Sequence, residues 1–539
     1  MPRPRIVIIG AGAGDLAFAV ALQKKFPDFD NFVIYEKGSD VGGTWRDNTY
    51  PGCSSDVAVH FYSLSTDLNP DWDFSHGSQA EISQYFCRVA AKNDLYYHIK
   101  FNTQVTSATW NAEKSKYIIT TKTAPKSDTS KSRQSVSPGA NAVVDGEAES
   151  VEEAEILISA IGPLEVLRFP DVPGIEDFEG NLFHAGKWDH SVDLKGKKVA
   201  VVGNATSAAQ IVPTISEDPT IMKREVYTAK QKWWFRYVPL YMRLHRFKLF
   251  LNCEILYFMV FSNSRTREWA QKKLVEHIKK TAPEEYHDKL IPTYSPGCKR
   301  LVMDRFRYLK SMNRPNVRLN WDGIEAITEK GILTKQDERL PFDVIVFATG
   351  YVADDYQLHV KGRHETVKEY YQRNGGPMAY MGTTMPGFPN FFIVGGPNTG
   401  TGHTSFIYTE ENQVQYILKL IEPVLSSDIS SIEVSNDATE DYQRRIESRL
   451  QQSVFVSCTS WYRTNSAGRI AMIFPGSGTM FWWWFRHVDW RHYHISAKDP
   501  AAWRRKQAWA TGLKTARNVV MACIVLAMVT RTEILGRWF

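Results

Sequence analysis

The chain has 539 residues, 43% hydrophobic and 23% charged, with a formal net charge of +6. That length exceeds one compact core, so two or three domains of ordinary globular composition are expected. The excess charge is local: Trp484 to Phe539 holds ten Lys/Arg against three Asp/Glu, which leaves the remainder near neutral and argues against nucleic acid as a partner. The six cysteines (Cys53, Cys87, Cys253, Cys298, Cys458, Cys523) are far apart and form no CxxC pair. Neither a disulfide framework nor a metal site is expected, and a reducing, cytoplasmic compartment is the default. Met1-Pro-Arg-Pro-Arg5 runs directly into a strand pattern, leaving no room for a signal peptide.

Arg5-Ile-Val-Ile-Ile-Gly10 is a buried-strand run entering a Gly-rich turn, followed by a helix through about Lys25 and a strand at Phe32-Val-Ile-Tyr-Glu36. This βαβ pattern predicts a dinucleotide site. Gly10 allows the tight turn, and Gly12 lets the backbone approach a pyrophosphate seated on the helix N-terminus. The third glycine position is Asp15, whose carboxylate must find a donor or distort the helix start. Glu36, 21 residues further on, suits a ribose hydroxyl and disfavours a 2′-phosphate, so the first site should hold FAD or NAD.

Residues 122–153 are rich in Ser, Lys, Pro, Gly and Ala and read as a disordered insertion in a surface hairpin. Glu155-Ile-Leu-Ile-Ser-Ala-Ile-Gly162 resumes a buried strand. Lys197-Lys-Val-Ala-Val-Val-Gly203 opens a second nucleotide fold, and Phe342 to Tyr351 reads as the return to the first. The expected fold class is α/β with two Rossmann-like dinucleotide-binding domains. The FAD domain occupies 1–169 and 341–490. The second domain is inserted at 170–340, with its own helical insertion at about 235–295, and a basic, Trp-rich helical extension covers 491–539.

Gly43-Thr-Trp-Arg-Asp-Asn-Thr-Tyr-Pro-Gly-Cys-Ser-Ser-Asp56 and Phe178-Glu-Gly180-Asn-Leu-Phe-His184-Ala-Gly-Lys-Trp188-Asp189 resemble two signatures of the Baeyer–Villiger monooxygenases, GxWxxxxYPGxxxD and FxGxxxHxxxW[PD]. The resemblance spans roughly residues 5–490. It implies FAD contacts at Gly10, Gly12, Glu36, Thr44, Trp45, Arg46, Asp47, Ser54, Ser55, Asp56, Val57, Tyr62 and the backbone of Val105. Gly395-Gly-Pro-Asn-Thr-Gly-Thr-Gly-His403 resembles the family's loop beside the isoalloxazine, while His184 and Trp188 read as structural residues.

By the same resemblance, Gly203, Asn204, Ala205, Thr206, Ser207 and Ala208 form the second fingerprint, with Ala205 in place of its middle glycine. The arginine that grips the 2′-phosphate in the family is here Ala229, so Lys230 or Lys232 would supply a point charge, with Lys299 as a second phosphate cation. Trp461 matches a tryptophan on the nicotinamide ribose. NADPH is favoured over NADH.

The implied activity is oxidation of a bulky hydrophobic ketone by dioxygen to an ester or lactone through a flavin C4a-peroxide, in secondary metabolism. Arg300, a permanent cation, would stabilise the anion that forms, and Asp56 would position it. An N- or S-oxygenating flavoenzyme and a non-catalytic flavin scaffold are the alternatives. In the tail, Val519 to Val529 lack charge, which is too short to span a bilayer. Interfacial membrane docking competes there with packing on the body. Phe247 to Phe261 reads as cavity wall or core.

Overall fold

A computed structural model describes residues 3–123, 149–216, 226–262, 264–299, 304–353, 355–497, 499–503, 505–507 and 509. The first unit begins with β1 (Ile6–Ile9), α1 (Ala13–Lys25) and β2 (Phe32–Tyr35). It continues through α2 (Thr44–Asp47), α3 (Gln79–Lys92) and β3 (Ile99–Lys100). A meander of β4 (Thr103–Asn111), β5 (Lys116–Thr123) and β6 (Glu149–Ala154) precedes β7 (Ile156–Ser159). The second unit holds β8 (Asn181–His184), β9 (Val199–Val202), α4 (Thr206–Ile215), α5 (Ala229–Tyr237), α6 (Tyr241–Leu256), α7 (Ser264–Thr281) and β10 (Val344–Phe347). β11 (Phe391–Ile393), α8 (Phe406–Leu425) and α9 (Gly478–Phe485) complete the frame.

Two parallel sheets result. The first has the order β11-β7-β1-β2-β3, with Ile6 opposite both Phe32 and Ile156. Its central strands are buried at every position because α1, α3 and α8 cover one face and the β4–β6 meander packs on the other. Leu16 to Leu22 of α1 are buried on all sides, and α8 packs against that helix. The second sheet has the order β9-β10-β8, also parallel.

The structure departs from the sequence reading in four places. β10 belongs to the second sheet, which carries the second unit past residue 340 to Phe347. A four-residue apolar run has no periodicity that says which sheet it joins. Glu149–Ala154 pairs with β5, so the expected disorder does not reach residues 149–153; the insertion's centre, 124–148, lies outside the described residues. Cys298 and Cys458 form a disulfide with Cα atoms 6.1 Å apart, where no disulfide framework is expected from the sequence. Their 160-residue separation hid a proximity that only folding creates.

The fourth departure is partial and concerns α6: Phe250 packs on Phe61 and Tyr408, and Val260 and Phe261 beyond the helix are buried as expected, but its other apolar face is turned outward. Leu244, Phe247, Leu251 and Ile255 are exposed, while its inward face carries Arg246 and Glu254. Among the described residues, no helix is long and apolar enough to cross a membrane. The tail beyond residue 509 lies outside the described residues.

Candidate functional site

The first nucleotide cradle sits where β1 meets α1. Gly10 has φ +109°, a conformation that favours glycine. Asp15 replaces the small third residue and turns inward: the Gly12 amide donates to its Oδ2 at 3.0 Å. Its Oδ1 has no hydrogen-bond partner among the described residues. Burial, with Glu36 and Glu410 nearby, holds the Asp15 carboxyl well above the usual carboxylate range. Glu410 on α8 is also buried, and its Oε2 has no partner among the described residues. Burial first, and the charge of Glu411 second, push it up to about 8. Two carboxyls whose charged forms burial disfavours therefore flank the start of α1.

Glu36 closes β2 as expected and is buried. It accepts from the Ala11 amide at 2.8 Å and the Gly38 amide at 2.6 Å, and pairs with Arg46 at 2.8 Å. Arg46 in turn pairs with Asp47 at 2.7 Å. Gly43 lies over the Gly-rich turn: a Cβ there would stand 3.1 Å from Gly12 Cα. The strand-end acid, the open helix start and the glycine cover fit an adenine dinucleotide. Thr44 starts α2, and Trp45 donates to Tyr62 Oη at 3.1 Å. Ser54 and Ser55 are buried, and Ser55 Oγ donates to Val57 O at 2.7 Å. Val105 lies at a bulge in β4. Asp56 is half-buried, whereas Arg300 lies outside the described residues.

The second cradle follows β9. Gly203 has φ +122°, and a Cβ there would meet Ala348 O at 2.5 Å. Gly203, Asn204 and Ala205 are exposed, and Ala205 precedes α4 without a side-chain cap. Thr206 and Ser207 at the start of α4 are half-buried and Ala208 is buried; a helix start of this kind presents amides suited to an anion. The middle alanine leaves this loop open. Lys230 is exposed on α5, while Lys232 is taken up by Asp73, so only Lys230 stays in solvent. Lys299 Nζ lies 4.7 Å from the Tyr294 ring centre. Trp461 is 42% exposed and packs on Tyr462 at 4.9 Å.

Three features were invisible to sequence reasoning. Gln210 of α4 clasps the first unit: its Oε1 accepts from Tyr50 Oη at 3.0 Å, and its Nε2 donates to Ser54 O at 2.9 Å. Arg246 of α6 donates to His60 O at 2.8 Å and Ser63 O at 2.7 Å.

Glu254 of α6 accepts from the amides of Gly478 (2.7 Å) and Thr479 (3.1 Å) at the start of α9. Its Oε1 is 3.5 Å from His403 Nε2, an electrostatic contact rather than a good hydrogen bond. Burial alone would raise the Glu254 carboxyl, but His403 and the two amides overrule it and hold it at about 2. Burial lowers His403, with Glu254 opposing. No spacing rule joins a glutamate in the last turn of α6 to a histidine 149 positions away. His184 behaves as a structural residue: buried, its Nδ1 accepts from the Gly186 amide at 3.0 Å.

Two nucleotide cradles on successive parallel sheets, joined by polar clasps across the units, define the class of flavoproteins that carry two dinucleotides. The profile of the NAD(P)-binding Rossmann-like domain matches residues 8–74. A Baeyer–Villiger monooxygenase of Pseudomonas aeruginosa is 32% identical over 519 residues, 92% of either chain. The FAD-binding monooxygenase ktnD of Aspergillus niger is 32% identical over 540 residues, 95% of this chain and 84% of its own. A cyclohexanone monooxygenase from Rhodococcus bound to NADP⁺ shares the fold with TM-score 0.76 at 23% identity, over 92% of this chain and 99% of that one. The chain belongs to the Baeyer–Villiger monooxygenase family.

Proposed function

We propose that this chain uses FAD, NADPH and dioxygen to insert one oxygen beside the carbonyl of a bulky hydrophobic ketone, giving an ester or lactone, in secondary metabolism. The Gln210 clasp is the observation that carries the reading. It ties the first turn-and-a-half of the second cradle's helix to the Tyr50–Asp56 loop of the first unit, so a nicotinamide held by one unit can reach a flavin held by the other. When bound, FAD supplies the oxygen-activating chemistry, which no side chain of this chain can provide.

The roles of the protein follow. Glu36 takes the ribose of FAD, and the start of α1 takes its pyrophosphate. Thr44, Trp45, Arg46, Asp47, Ser54, Ser55, Val57, Tyr62 and the backbone of Val105 line that cofactor. Gly203 through Ala208 hold the second pyrophosphate, Lys230 and Lys299 hold further phosphate charge, and Trp461 holds the nicotinamide ribose. Arg300 would stabilise the anion that forms for oxygen transfer with a cation that stays protonated, and Asp56 would offset and orient it. Burial of Asp15 and Glu410 disfavours their charged forms and so lessens the negative charge that faces the pyrophosphate.

The test supplies ¹⁸O₂ and NADPH to the FAD-loaded protein with a panel of hydrophobic ketones, amines and sulfides. One ¹⁸O atom in an ester supports the reading. Label in an N-oxide or sulfoxide alone, or NADPH consumed with hydrogen peroxide as the sole product, overturns it.

Contact with a lipid surface is a separate proposal. The outward apolar face of α6, with exposed Arg243 and Lys248 beside it, supports it together with the basic tail sequence. Co-sedimentation with anionic vesicles tests it, and protein that stays in the supernatant refutes it.

A further inference from the structure

The bond between Cys298 and Cys458 joins two loops that each carry a residue assigned above to the nicotinamide nucleotide. Lys299 directly follows one cysteine, and Trp461 lies three positions after the other. The first loop turns at Gly297 with φ +90°, where a Cβ would press on Val260 and Phe261 at 3.0–3.1 Å. Cys298 itself is fully buried. The second loop is fastened at its other end by Arg463, which donates to Cys458 O at 3.2 Å, Val456 O at 3.3 Å and Gly468 O at 2.9 Å. Phe455 packs on Phe261 at 5.5 Å and Tyr462 at 5.8 Å, so apolar contact brings the loops together with or without the covalent bond. The cysteines do not create the juxtaposition; they decide whether it is fixed.

We propose that Cys298 and Cys458 are a reversible thiol–disulfide site that sets the spacing of Lys299 and Trp461 and, through it, the affinity for NADP(H). The inference rests on the nicotinamide site argued above. Cys458 is half-buried and therefore the cysteine that peroxide can reach. Arg463 Nε donates to its carbonyl oxygen at 3.2 Å, which holds the backbone of this cysteine in place.

The oxidant is hydrogen peroxide, which reduced flavin and dioxygen yield when no substrate is oxygenated. The Cys458 thiolate attacks one peroxide oxygen, the O–O bond breaks, and a sulfenic acid forms with loss of water after proton uptake. The Cys298 sulfur then displaces the sulfenic oxygen, which leaves as a second water. In sum, two thiols and one peroxide give one disulfide and two waters. A dithiol reductant reverses the step by exchange. The cross-linked loops are ordered before the nucleotide arrives, so the disulfide form binds NADP⁺ more tightly, by about tenfold if one or two rotamer-rich side chains are pre-ordered.

The experiment uses FAD-loaded full-length protein prepared with reductant, freed of it, and divided. One half receives stoichiometric hydrogen peroxide. Thiols are counted after unfolding, the bridged peptide is sought by mass spectrometry, and the Kd for NADP⁺ is measured by titration calorimetry. The expected count falls from six to four, with Cys298 and Cys458 in one peptide, a Kd about tenfold lower, and recovery on adding dithiothreitol to the folded protein. Cys298→Ser and Cys458→Ser should show one Kd whether or not peroxide is added.

A count that stays at six, a bridge that dithiothreitol opens only after unfolding, or equal Kd values in the two forms overturns the proposal. If neither form binds NADP⁺, the nicotinamide assignment has failed, and the thiol count still reports on the bridge by itself.

Discussion

Replacing Glu410 with Gln should make the protein more stable at pH 8 and leave it unchanged at pH 5. Glu410 is buried on α8 without a partner for Oε2 among the described residues, and its carboxyl is raised from 4.5 to about 8. Because the folded value lies above the unfolded one, the fold binds the extra proton. Its contribution is therefore fully present below about pH 4.5 and drains away as the pH rises through about 8. Three and a half pH units at about 1.4 kcal/mol each set a ceiling of about 5 kcal/mol on that loss.

The amide keeps the shape and removes the ionisation. Thermal midpoints of wild type and Glu410→Gln, followed by tryptophan fluorescence from pH 5 to 9, should coincide at the acid end and diverge toward pH 8. A stability difference of a few kcal/mol there corresponds to roughly 2–4 °C per kcal/mol for a domain of this kind. Asp15, raised in the same direction, will keep a residual slope in the variant. Two curves that fall in parallel across the whole range would refute the assignment of a proton to Glu410 in the folded state.

Gly203→Ala places a methyl 2.5 Å from Ala348 O at a left-handed φ and should cost about 1–3 kcal/mol, read as a lower thermal midpoint together with weaker NADP⁺ binding. Glu254→Gln removes the charged cap of α9 and the electrostatic partner of His403, a loss of about 1–2 kcal/mol at pH 7. Since Glu254 is held at about 2 rather than 4.5, its contribution is present above pH 4.5, and the gap to wild type should narrow in denaturation curves as the pH falls through 2. Arg300→Ala should still allow NADPH to bleach the flavin while ester formation drops by about 10²–10³; full ester yield would remove Arg300 from the reacting site.

Local chemistry made both nucleotide cradles legible. A strand that ends in Gly10 or Gly203 can turn only through a left-handed glycine, and a helix start presents amides to phosphate whatever the remainder of the fold does. The acid at Glu36 was readable for the same reason: its distance from the turn is fixed by one helix and one connection. The family signatures were equally local, since their residues lie within fourteen positions.

What sequence spacing could not supply is every contact whose partners meet only after folding. The membership of β10 in the second sheet depends on β8 and β9 flanking it. The outward apolar face of α6 depends on Ser63, His60 and Gly478 offering polar partners to Arg246 and Glu254. The Cys298–Cys458 bond and the Gln210 clasp each span more than 150 residues. Short-range pattern records what a segment can become; which surface it meets is decided by the packing of the two sheets and the helices between them, because burial acts on proximity in space and carries no memory of distance along the chain.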